Sequence, residues 1–278
     1  MSAAVFFAVL GAAALHASWN ALIRIGASKV TTMLVMTLVQ GALGAAMTTQ
    51  FAVPAASVWP WLVASGLFHA GYKIFLAFAY EHGDLSRVYP IARGAAPLIV
   101  LVVSTFALDE GLRGQDIGAI LILGLGILLM SRGVFTSGES VRLVPLALAS
   151  AAMTAGYSLV DGIGARIAGN AAMYVGWLFL LDALLFTPAI VALRGRGVAK
   201  ASARVWMLGS AAALFSFAAY AIAVWAMTQA PIALVTALRE TSILFAVLIG
   251  WLAFGERMDR GKAGAAALIL AGVVLTRL

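Results

Sequence analysis

Ten apolar stretches, each near the length of a bilayer crossing, take up almost the whole chain. They run roughly over residues 2–23, 31–53, 59–80, 85–108, 114–131, 143–164, 171–193, 204–227, 231–254 and 261–277. A helix of about 20 apolar residues spans the hydrocarbon of a bilayer. Lipid offers the backbone no hydrogen bonds, so each stretch is expected to satisfy its own as a helix. The expected fold class is an all-α polytopic membrane protein with ten transmembrane helices. Composition agrees: the chain is 63% hydrophobic and 10% charged, whereas a soluble domain is about 45–50% apolar and about 25% charged. The longest polar loops, Arg132 to Val141 and Arg194 to Arg204, are too short for a soluble domain. Met1 to Leu15 lacks the basic start of a signal peptide, and its apolar run continues past Trp19 and Leu22 to Arg24. It is read as a retained first helix.

The net charge of +7 does not call for nucleic acid, because lysine and arginine gather in loops beside membrane spans and meet lipid headgroups there. The chain has no cysteine, which excludes disulfides, thiol catalysis and thiolate-bound metals. It has no H-E-x-x-H motif and no phosphate-binding G-x-x-x-x-G-K-[ST] loop. No metal, cofactor or direct use of ATP is expected. A membrane-embedded enzyme would need clustered carboxylates or histidines, and those of this chain are scattered along it.

The loop at 132–141 divides the helices five and five, and the two parts match. With a shift of 146 residues and no gap, Arg93 meets Arg239, Leu98 meets Leu244, Glu110 meets Glu256, Ala119 meets Ala265 and Gly126 meets Gly272. Apolar matches are common in membrane sequences. An arginine and a glutamate 17 residues apart in both parts are a firmer sign of duplication. The expected units are residues 1–131 and 142–278, joined by 132–141. Five is odd, so tandem copies enter the bilayer from opposite faces. That gives two inverted five-helix repeats, with a substrate site near the midplane where they meet.

Helix 1 carries His16-Ala-Ser-Trp19-Asn20, helix 6 carries Gly156-Tyr157-Ser-Leu-Val-Asp161-Gly162, and helix 9 ends in Gly255-Glu256. With ten helices in two five-helix units, these features resemble the EamA-type branch of the drug/metabolite transporter superfamily over the whole chain. The first unit departs from the pattern, reading Asp109-Glu110-Gly111. The resemblance implies a multi-pass exporter of small metabolites in a bacterial inner membrane, similar to amino-acid exporters. It identifies the family better than the substrate.

Charges inside the spans carry the chemistry, because lipid penalises them by about 2.5–3.5 kcal/mol each at mid-helix. Arg93 and Arg239 each lie about 12 Å deep, eight residues into their helices. Each either ties helices together or grips an anion. Their shared place in both units favours the structural role. Glu240 has no counterpart, because Gly94 stands at its matching position, so Glu240 and Thr241 become the functional candidates on helix 9. His69, Tyr72, Lys73 and Tyr80 share one face of helix 3 with Leu76. Lys73 either locks to Asp161 or Asp182, or faces substrate. His16 and Asn20 share a face of helix 1 beside Trp19, and His16 is a candidate for proton coupling. Tyr89, Tyr157 and Trp225 are the aromatic candidates, with Trp177 and Tyr220 also at depth. Pro90, Gly94 and Pro97 interrupt helix 4 and are read as a hinge. Gly114-xxx-Gly118 and Gly261-xxx-Ala265 suit close packing, within a monomer or in a homodimer.

The loops that follow odd-numbered helices carry twelve basic residues, while those that follow even-numbered helices, with the termini, carry Arg113, Arg166 and Arg277. The positive-inside rule then puts both termini outside. The family resemblance implies the opposite, and the two expectations conflict. Three functions compete for these features: a secondary exporter of amino acids working by alternating access, with protons as a candidate coupling ion; a multidrug or organic-cation exporter on the same fold; and a membrane enzyme.

Overall fold

The computed structural model describes residues 1–25, 29–82, 85–108, 110–130, 143–255 and 260–277. They form α1 (Ala3–Ile25), α2 (Lys29–Thr48), α3 (Trp59–His82), α4 (Leu85–Ala107), α5 (Gly114–Met130) and α6 (Leu143–Ala168). Then come α7 (Ala171–Arg194), a short 3-10 turn (Arg196–Ala199), α8 (Ala203–Gln229), α9 (Ile232–Arg239), α10 (Ser242–Phe254) and α11 (Arg260–Leu275). Among the described residues there is no strand, and six crossings are long and apolar enough to span a membrane. One of these, Ile232–Ala253, consists of α9 and α10 in series. Arg93–Ala107, Gly114–Leu129 and Ala263–Leu275 are shorter apolar helices.

Polar residues set several helix starts. Asn170 accepts the Met173 N–H (2.9 Å) before α7, and Ser202 accepts the Val205 N–H (3.4 Å) before α8. Asp116 reaches back from the first turn of α5 to the Arg113 N–H (3.0 Å). Gly255 ends α10 in the left-handed region at φ 66°, a conformation that glycine adopts without a Cβ clash.

The most extensive packing joins α3 to α6, α2 to α7, α5 to α11 and α1 to α8, with α4 laid on α6. One apolar core gathers Trp19, Leu62, Tyr157 and Leu178, and a second gathers Val9, Leu123, Leu238 and Ile269. Small residues let backbones approach. A Cβ on Gly44 would lie 2.6 Å from the Gly176 carbonyl oxygen, so α2 and α7 nearly touch there. A Cβ on Gly126 would meet the Ala265 oxygen and Ile269 nitrogen, both at 3.0 Å. One on Gly272 would meet the Ala119 oxygen and Leu123 nitrogen, both at 2.9 Å. The close approach expected at Gly114-xxx-Gly118 is not where α5 makes it: a Cβ on Gly114 meets open space, and one on Gly118 only grazes Leu275 at 4.0 Å.

One end of the bundle is sewn together by Glu110 and Arg166. Arg166 donates to the Met227 (2.8 Å) and Ala230 (2.9 Å) carbonyls and to Glu110 (3.0 Å). Glu110 accepts the first two N–H groups of α9, from Ile232 (2.9 Å) and Ala233 (3.4 Å). A carboxylate there suits the partial positive charge of a helix N-terminus. Arg277 donates to the Met1 carbonyl (3.1 Å), and Gln115 to the Leu275 carbonyl (3.2 Å). The termini and the connections after α4, α6 and α8 are thus drawn together, the set that carries few basic residues.

The glycine contacts are testable. Gly44→Ala forces a Cβ against backbone atoms and is expected to cost about 1–3 kcal/mol. Gly11→Ala meets nothing within 4 Å and should leave stability unchanged or slightly raised. Thermal unfolding of the two variants in detergent measures the contrast, and equal midpoints would refute it.

Candidate substrate cavity

The ninth apolar stretch was expected as one helix, and it is two. At Glu240 and Thr241 the backbone stays right-handed, but its bonds shorten from four residues to three. The N–H groups of Glu240 and Thr241 donate to the Ala237 and Leu238 carbonyls, both at 3.1 Å. Those of Ile243 and Leu244 donate to Glu240 (3.0 Å) and Thr241 (2.9 Å). The Thr241 hydroxyl also takes the Leu238 carbonyl at 2.7 Å, a local competition that bends or tightens helices. Such a mid-helix 3-10 segment turns side chains about 120° per residue instead of about 100°. Arg239 and Glu240, adjacent in sequence, therefore serve different neighbours.

Glu240 faces α4. Its Oε2 accepts from Arg93 Nε at 2.8 Å, with both side chains 1–2% exposed. Arg239 faces a cavity instead. Its guanidinium lies over the Tyr220 ring, 5.0 Å from the centroid, and the residue is 5% exposed. Among the described residues no carboxylate pairs with it. The expected allocation is thereby exchanged. Glu240 and Thr241 sit behind the cavity, and Arg239 stands on its wall.

The cavity lies among seven helices. His16 and Trp19 come from α1, Met33, Met36 and Gln40 from α2, and His69, Tyr72 and Lys73 from α3. Tyr157 comes from α6, Phe179 and Asp182 from α7, Ser216 and Tyr220 from α8, and Arg239 from α9. Its volume is about 40 Å³, room for a few waters and far below the roughly 300–1,000 Å³ of ligand pockets. The helices are drawn in around the site, and a metabolite needs them to part.

Lys73 resolves to one of its two candidate partners. Its ammonium donates to Asp182 Oδ2 and to the Thr37 hydroxyl (2.8 Å), and it lies 5.1 Å from the Phe186 ring centroid. Asp161 is engaged elsewhere. The Tyr174 hydroxyl donates to its Oδ1 (3.1 Å), the Tyr220 hydroxyl to its Oδ2, and His69 Nε2 lies 3.2 Å from Oδ2. His69 stacks on Tyr157 with centroids 4.1 Å apart. Asp161 is thus a buried anchor that orients one wall residue, His69, and one ring, Tyr220. On α1, Trp19 Nε1 donates to His16 Nδ1 at 3.2 Å.

Of the residues expected to bind substrate, His16, Trp19, His69, Tyr72, Lys73 and Tyr157 meet at the cavity. Asn20 does not, because its amide turns back to the His16 carbonyl at 2.8 Å. Trp225 is 40% exposed; it follows Tyr220 by five residues, about 140° round the helix. The side chains of Tyr80, Tyr89 and Pro90, and all of Glu256, lie outside the described residues. α4 is helical throughout, and a Cβ on its Gly94 would meet Ile127 of α5 at 2.8 Å. The sequence reading missed Gln40, Met33, Met36, Phe179 and Ser216 on the wall. Gln40 had a signal, as the one amide in α2.

Residues 142–278 match the EamA-like transporter family, which places the chain in the drug/metabolite transporter superfamily as a multi-pass membrane protein. The family is one of transporters, not enzymes. A solved crystal structure is similar in fold, with a TM-score of 0.73 at 22% identity, covering 99% of this chain and 97% of that one. No curated protein matched the chain.

The Arg93–Glu240 pair yields a stability cycle. Arg93→Met or Glu240→Met alone strands a buried charge and is expected to cost about 3–5 kcal/mol, most of it recovered in the double variant. Unfolding of all four proteins in detergent measures it; strictly additive losses would mean the two side chains do not act as a pair.

Proposed function

We propose that the protein is a secondary transporter that exports amino acids, neutral or aromatic, from a bacterial cell across the inner membrane. The observation that carries this reading is the charge on the cavity wall. Lys73 is neutralised by Asp182, and Arg93 by Glu240, whereas Arg239 faces the cavity with no ion-pair partner among the described residues. A guanidinium in that setting attracts a carboxylate, which it can hold through two parallel hydrogen bonds. The rings of Tyr72, Tyr157 and Phe179 suit an apolar or aromatic side chain. The alternative, a multidrug or organic-cation exporter, draws on the same rings, but the charge on Arg239 repels a cation.

Alternating access between two inverted repeats is the mechanism that best accounts for the packing. The family match falls on 142–278, the second expected unit. Helix pairs correspond under exchange of the two units: α3 with α6 answers α8 with α1, and α4 with α6 answers α9 and α10 with α1. The α5–α11 contact repeats itself residue for residue. Gly126 meets Ala265 and Ile269, and Gly272 meets Ala119 and Leu123, each residue paired to its counterpart by the shift of 146. Rocking of one unit on the other would open the cavity to each side in turn. Coupling to protons would act through the wall histidines, His69 on Asp161 and His16.

In proteoliposomes, flux of at least one neutral or aromatic amino acid is expected, with Arg239→Gln lowering it by about tenfold or more through loss of a charge-assisted bond. Flux of tetraphenylphosphonium with none of any amino acid would overturn the substrate assignment in favour of the cation exporter. The loop charges predict both termini outside, so green fluorescent protein fused to the C-terminus should be dark in the cell and alkaline phosphatase active. The reverse pattern would reverse the orientation.

A further inference from the structure

Polar groups left without partners on the cavity wall sort by chemical type onto two walls. The donors belong to α1 and α9. Trp19 donates to His16 Nδ1, so the neutral imidazole carries its proton on Nε2. That Nε2 is buried and has no partner among the described residues, and Arg239 stands beside it on the cavity wall. The acceptors belong to α2 and α7. Asp182 gives Oδ2 to Lys73, while its Oδ1 is buried with no partner among the described residues. Gln40 Oε1 is in the same condition, on a side chain that is 1% exposed.

The two sets stand on different helix pairs, which α8 joins by packing on all four helices. α1 packs on α9 and α2 packs on α7. On the α2–α7 side, a Cβ at Gly41 would strike that of Ala183, and these residues directly follow Gln40 and Asp182 in sequence. Buried polar groups are almost always satisfied, and those that are not call for an explanation, which a substrate supplies.

We propose that the cavity, once the helices part, holds a zwitterionic α-amino acid between these walls, its carboxylate on Arg239 and His16 and its ammonium on Asp182 Oδ1 and Gln40. The inference rests on the amino-acid reading of this cavity and adds which residues hold each end. An amino acid brings two charges out of water at once, and each needs an opposite charge and hydrogen bonds in the site to offset the loss of hydration. The salt-bridged Asp182 can serve both Lys73 and a substrate ammonium because a carboxylate offers two oxygens. The site should therefore reject a molecule with either end blocked, since each block leaves a buried polar group of the protein without its partner.

The test uses the full chain in proteoliposomes and three compounds each for phenylalanine, leucine and serine: the free amino acid, its amide and its N-acetyl derivative. Each is measured as a competitor of counterflow of the free amino acid. Both blocked forms are expected to compete at least about tenfold more weakly than the free amino acid, one charge-assisted bond's worth. Arg239→Gln should bring the free amino acid down to its amide and leave the N-acetyl penalty in place. Gln40→Leu should weaken the free amino acid towards its N-acetyl derivative and spare the amide penalty. Arg239→Lys keeps the charge and should retain part of the preference, which separates loss of recognition from loss of fold. Equal competition by the free and blocked forms would overturn the two-walled site while leaving amino-acid transport standing. Equal losses for all three compounds in each variant would overturn it too. No counterflow of any free amino acid would overturn the transport reading beneath it.

Discussion

A charge inside a bilayer calls for another to answer it, and this bundle is arranged around two such answers and one cation left without an ion pair among the described residues. Lys73 of α3 is met by Asp182 of α7, and Arg93 of α4 by Glu240 at the start of the second half of the ninth crossing. Both pairs bridge the two halves of the chain, and all four residues are buried. Their attraction is strong in that setting because little dielectric screening weakens it. Arg239 is the third cation, and its setting differs. It rests on the face of Tyr220, whose hydroxyl is held by Asp161, so its charge is only partly offset and is directed at the cavity.

The tightened turn at Glu240 and Thr241 widens this division. Adjacent side chains of an α-helix already point about 100° apart, and the 3-10 bonds open that to about 120°. The 3-10 bonds swing one towards α4 and the other towards α1, α3 and α8. Glu110 and Arg166 hold the near end of the same crossing, where Glu110 receives the first N–H groups of α9. A short helix anchored at one end and tightened at the other presents Arg239 at fixed depth.

The cavity is drawn in, with Asp161 at its back. Three donors converge on this one carboxylate, from α3, α7 and α8. They orient His69 and Tyr220 on the wall without bringing Asp161 itself to the surface. The expectation that Asp161 or Asp182 would answer Lys73 left both open, and geometry divides the work between them: Asp182 neutralises, and Asp161 positions. The wall also draws on α2 and α7, helices whose apolar sequences carry few marks of a site. Their Gln40 and Asp182 come together because glycine and alanine let the two backbones nearly touch.

The sequence by itself determined the class of protein and its apolar helical segments, six of them long enough to span a membrane among the described residues. Those properties follow from transfer free energies and helix periodicity, which act locally along the chain. It also marked the arginine pair 17 residues from a glutamate in each half, and six of the residues on the cavity wall. What only the tertiary structure decided is which charge answers which. A neutralising partner stands 109 or 147 residues away, and no periodicity reports on separations of that kind. The different neighbours of Arg239 and Glu240 have the same origin: the Tyr220 ring and the Arg93 guanidinium that meet them come from distant parts of the chain. Asn20 is a candidate because it shares a helix face with His16, and Trp225 because it is an aromatic at depth, yet the Asn20 amide turns back to the His16 carbonyl and Trp225 is 40% exposed. A helix turns neighbours to different faces, and only the packing of the whole bundle says which face meets the cavity.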